Sequence, residues 1–124
     1  MVNQNEKTKM QELYFKGLFE YKSHLFFEAH ETWEDLWSDY YLEDSKFIQG
    51  LIQLSVSFLH LERGNIKGAK SLLSKCESKF IIFSGIHRGV NIDKLINDIA
   101  NVKIEYTRYT SKINFKWGVI PKLE

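Results

Sequence analysis

The sequence predicts an all-α fold, a compact bundle of about five helices arranged as stacked helical hairpins, with an extended C-terminal tail. Three observations carry this. Apolar residues recur at helical spacing along nearly the whole chain, no run alternates with period two before the tail, and the single proline is Pro121.

The first helix runs from about Glu6 to Glu20, with Met10, Leu13, Tyr14, Gly17 and Leu18 on one stripe. Tyr21 to His24 reads as a short turn, and the second helix as Leu25 to Ser38. Asp39 to Asp44 is a polar loop, in which Asp44 or Ser45 can cap a third helix over 46–62. Gly64-Asn65 terminates that helix, and Asn65 can cap a fourth over 66–82, built on Ile66, Ala69, Leu72, Leu73, Cys76 and Phe80. Ser84 to Val90 holds two glycines and reads as a loop. Asn91 can cap a fifth helix over 92–109, with Ile92, Leu95, Ile96, Ile99 and Val102 facing inward. Residues 111–124 read as the tail, laid over the bundle from Ile113 to Leu123. Phe26-x-x-Ala29-x-x-x-Trp33 is echoed by Ile66-x-x-Ala69-x-x-x-Leu73 at an offset of 40, each after a turn, which is the mark of two stacked hairpins.

The 124 residues suit one domain over 1–124, able to bury roughly 68% of its unfolded surface. A composition 44% hydrophobic and 27% charged excludes disorder, and one cysteine excludes a disulfide framework or a Cys-rich zinc module. No apolar run reaches the ~20 residues of a membrane span. The polar N-terminus has no stretch of signal-peptide type, so a soluble protein of the reducing cytoplasm is expected. The net charge of +1 gives no pull toward nucleic acid or a membrane, and neither is expected as a partner. Residues 1–44 carry four Lys and ten acids, whereas 45–124 carry thirteen Lys or Arg and six acids. Alternating solvated helix faces account for this. A dipole that steers a charged ligand would also fit.

The third helix is apolar over most of its circumference through Phe47, Leu51, Leu54, Phe58 and Leu61 with Ile48, Ile52, Ser55 and Leu59, so it should be central. Its narrow polar stripe holds Gln49, Gln53, His60 and Arg63. It is either the solvent strip or a pocket wall, since a solvated strip is more often Lys and Glu than Gln and His.

On the second helix, His30 and Glu34 fall within the arc of Phe26, Phe27, Ala29, Trp33 and Trp37, while Glu28, Glu31 and Asp35 face solvent. A carboxylate flanked by Phe27 and Trp37 is costly unless it is paired, protonated or bound to a cation. Side chains at i and i+4 are neighbours, so His30 and Glu34 can share one divalent metal ion, with His60 to complete the set and Gln53 beside it. They can equally be a structural hydrogen-bonded pair. His30-Glu31-x-x-Glu34 falls one residue short of the zinc-protease pattern, and Glu31 points away from the arc.

Cys76 reads as an inert buried thiol, His24 and His87 as solvated loop residues, and Asn65 as a cap. Trp33 and Trp37 read as core, with Trp37 also able to wall a pocket. No serine sits on a nucleophile turn, and no Gly-rich phosphate loop is present.

The run Phe26-Phe27-Glu28-Ala29-His30-Glu31, Trp33-Glu34 and Leu36-Trp37, followed by Phe47-x-x-Gly50-Leu51-Ile52-Gln53-Leu54, His60, Gly64-Asn65 and Gly68-Ala69, resembles the DUF309 family over about residues 10–80. The resemblance implies an all-helical, prokaryotic, cytoplasmic protein with no established activity. It also implies a His-x-x-x-Glu-x-x-Trp/Tyr motif, thought to bind metal, at His30, Glu34 and Trp37. Family members usually place Gly where this chain has His24.

Two functional readings follow. The first is a small-ligand or metal-binding pocket between the second and third helices, with His30, Glu34 and His60 as metal ligands and Gln53, Trp37, Gln49 and Arg63 lining it. As an enzyme it would be a metal-assisted hydrolase. The second is a non-catalytic adaptor whose hairpin groove takes a protein or peptide partner, with His30 and Glu34 holding its shape.

Overall fold

The computed structural model describes residues 3–111 and 113–124, so Lys112 of the expected tail lies outside them. Five helices follow one another: α1 (Gln4–Lys22), α2 (Phe26–Asp39), α3 (Ser45–Glu62), α4 (Ile66–Phe80) and α5 (Ile92–Thr107). They pack in series, α1 on α2, α2 on α3 and α3 on α4, with α5 laid against α4. The central helix is α3. Phe47, Ile48, Leu51, Leu54, Phe58 and Leu61 are all buried, as its apolar circumference requires.

The caps explain most helix starts. Asn3 accepts from the Glu6 N–H, Asn65 from Gly68 and Asn91 from Lys94, each relieving an orphan donor of the first turn. Asp44 precedes α3 but gives no side-chain cap, because its carboxylate is engaged elsewhere. The fourth and fifth helices stop two residues short of the expected ends, and Ile81 and Ile82 are exposed beyond α4.

The echo at offset 40 is a matched pair of turns. His24 and Gly64 both take left-handed backbone, φ 59° and 77°. Their amides bond to Tyr21 and Leu61 carbonyls at 2.9 and 3.0 Å, and the next amides, of Leu25 and Asn65, reach back to Glu20 and His60, both at 2.8 Å. This is helix-ending Schellman-type geometry, used twice. His24 holds it without glycine while its ring stacks on Phe26 at 5.2 Å.

The segment 84–91 is more ordered than a loop. Ile86–His87 and Val90–Asn91 pair antiparallel around Arg88-Gly89, both at positive φ, as a two-residue type I′ turn demands. The tail carries one short 3₁₀ turn at Trp117–Val119 and buries Phe115, Ile120 and Leu123 on the bundle. The buried Tyr21 hydroxyl donates to the Pro121 carbonyl at 2.7 Å.

Candidate functional site

His30 sits one turn into α2 with its ring partly buried. Its Nδ1 lies 2.7 Å from the Phe27 carbonyl. A carbonyl can only accept, so Nδ1 donates there and Nε2 is the ring nitrogen left facing Glu34. Nε2 stands 4.0 Å from Glu34 Oε1. The expectation of an apolar setting for Glu34 is corrected, because its side chain is 56% exposed. Phe27 and Trp37, which flank it on the wheel, are themselves 41% and 44% exposed, so this edge of the arc reaches water. Trp37 is therefore a wall and not core, while Trp33 is fully buried.

The other expected residues divide. Gln49 and Gln53 face α2 and, with Glu34, Asp35, Trp37, Ser38 and Ile52, line an open cavity of about 380 Å³. His60 does not join them. Its Nδ1 accepts from the Asn65 side chain at 3.4 Å, which binds it into the α3–α4 turn. Arg63 is exposed at the end of α3. Among the described residues no group of three or more His, Cys, Asp or Glu could hold a metal ion.

One residue lining this groove carries a buried atom without a partner. Gln53 Oε1 is buried and has no hydrogen-bond partner among the described residues. Glu20 Oε1 is in the same condition in a neighbouring cleft between α1 and α2, lined by Lys16, Glu28, Glu31 and Thr32. Glu34 and Asp35 belong to both depressions, so α2 presents an acidic ridge between them.

A second arrangement went unseen in the sequence. Asp44 receives Arg88 Nε at 2.6 Å and Nη2 at 3.0 Å, and His87 Nε2 at 2.7 Å. Burial pushes the Asp44 pKa up, but the hydrogen bonds and positive charge of Arg88 and His87 outweigh it and leave the carboxyl below its usual range. The His87 ring packs on Phe47 and Phe83 at 4.6 and 4.7 Å, which corrects the expectation of a solvated loop histidine. The Arg88 guanidinium lies 5.0 Å over the Tyr14 ring, and its carbonyl accepts from the Tyr14 hydroxyl at 3.1 Å. Burial pushes the Tyr14 pKa up to about 12. The cluster edges an open cleft of about 980 Å³ between the start of α1 and the α2–α3 loop. The sequence marks the tight turn only through Gly89, and does not show that Arg88 turns back onto Asp44.

Cys76 is buried, its thiol donates to the Leu73 carbonyl at 3.1 Å, and burial raises its pKa, so it is inert as expected. No helix is long and apolar enough to cross a membrane among the described residues. No curated protein and no solved structure matches the chain. Residues 14–72, from Tyr14 through α2 and α3 into α4, match the family described as Domain of unknown function (DUF309), as the resemblance implied.

Proposed function

We propose that the chain binds a small organic cation, a primary amine or guanidinium compound, in the groove between α2 and α3. The buried, unpaired Gln53 Oε1 carries this reading. An acceptor left without a donor costs about 1–3 kcal/mol, which a ligand N–H would recover. The surroundings fit the same class. Glu34 and Asp35 supply negative charge at the rim, the half-exposed Trp37 offers an aromatic face, and Ile52 an apolar floor. An organic ligand is favoured over a metal ion because His30 and Glu34 have no third His, Cys, Asp or Glu beside them among the described residues.

The test is two-dimensional NMR with butylammonium and butylguanidinium, and butanol as the uncharged control. Saturable shifts of the Gln53 and Gln49 side-chain amides and the Trp37 indole N–H are expected, at about millimolar affinity. Gln53→Leu should abolish them while raising stability by ~1–2 kcal/mol, since the unpaired oxygen is removed. Shifts produced equally by butanol, or unchanged in Gln53→Leu, would refute the reading.

A further inference from the structure

The serial packing leaves α1 at the edge of the bundle with one face on α2 and the other open. Tyr14, Gly17 and Tyr21 form the inner face and are buried. The outer face carries Thr8, Glu12, Phe15, Phe19 and Lys22, all exposed, spaced four, three, four and three residues apart. That spacing draws one straight seam along a helix, the geometry by which two helices pack side by side. Phe15 and Phe19, 61% and 70% exposed, stand at its middle. A pair of phenylalanines this open on a regular helix is a cost in solvation that the monomer does not recover.

The order of residues along the seam says what covers it. Phe15 lies two residues before Gly17 and Phe19 two after; Glu12 lies five before and Lys22 five after. The face is thus self-complementary under a two-fold axis at the level of Gly17. We propose that it binds a second copy of this chain, α1 antiparallel to α1, as an isologous dimer. Phe15 of each copy then meets Phe19 of the other, giving four rings at the centre. Glu12 of each meets Lys22 of the other, giving an ion pair at either end. A parallel arrangement in register would set Glu12 against Glu12 and Lys22 against Lys22, so the charges choose the antiparallel one. The seam spans about 21 Å of helix, a small interface, and a dissociation constant of about 10–100 μM is expected.

Sedimentation equilibrium of the full chain over a concentration series tests this. The wild type should pass from monomer to dimer, and no further. Phe15→Glu with Phe19→Glu should be monomeric throughout with unchanged helical circular dichroism, since both side chains are exposed. Glu12→Lys and Lys22→Glu should each weaken association about tenfold by placing like charges together at both ends. An equimolar mixture of the two should restore it, because the heterodimer regains both opposite-charge pairs. A wild type that stays monomeric at every soluble concentration overturns the proposal. So does a dimer that survives the double phenylalanine variant, or a mixture no tighter than its components.

Discussion

Asp44 ties together parts of the fold that lie far apart in sequence. It joins the start of α3 to the hairpin over forty residues later, through two bonds from Arg88 and one from His87. Asp44→Asn should cost about 2–3 kcal/mol in urea unfolding, the range for hydrogen bonds to a charged group that is partly buried. The pH dependence has a definite sign. The folded pKa is depressed below the unfolded value of about 3.9, so the contribution is complete above that value and fades as pH falls through the folded pKa. Wild type should therefore lose more stability than Asp44→Asn below about pH 4, and parallel acid titrations followed by circular dichroism will read the difference. In the sequence Asp44 looks like a helix cap, because local spacing reveals only local partners. Its actual partners are brought by a two-residue turn whose arginine adopts a backbone conformation that sequence alone does not single out.

At the scale of the element, α1 and α2 approach closely because Gly17 has no side chain. The Trp33 indole occupies that space and donates to the Tyr14 carbonyl at 3.1 Å. A Cβ on residue 17 would lie 2.3 Å from Trp33 Nε1. Gly17→Ala should thus destabilise by about 2–4 kcal/mol, overpacking plus a lost buried hydrogen bond, and shift Trp33 emission to the red. The helices themselves were legible. Apolar spacing located all five, and Asn65 and Asn91 marked two starts. The helical wheel failed at Glu34 for a plain geometric reason. It gives the direction of a side chain but not where the neighbouring helix ends, and between α2 and α3 the arc opens to water beside Phe27 and Trp37. His60 was misplaced for a related reason, since its direction is shared with Gln53 but its level along α3 puts it beside Asn65. Gln49 and Gln53, chosen because amides are unusual on a solvent strip, do line a groove.

For the molecule as a whole, the tail is structural. Phe115, Ile120 and Leu123 are buried, and the Pro121 carbonyl satisfies the only polar atom of Tyr21's side chain. Deleting residues 115–124 should cost at least ~4 kcal/mol, from three apolar side chains and one orphaned hydroxyl, measurable as a lowered urea midpoint. The sequence shows this segment as weak alternation around Trp117 and Pro121. Its polar anchor is a backbone carbonyl, which leaves no trace in residue identity.

The Tyr21–Pro121 bond also orders events in time. It closes a loop of 100 residues, whereas the two matched turns close helices that are adjacent in sequence. Loop closure is entropically costlier the longer the loop, so the hairpins can form on the microsecond-to-millisecond scale of local contacts while the tail docks last. The same ordering is expected in the native state: amides of the tail should exchange with deuterium faster than those of α3 while the bundle stays folded.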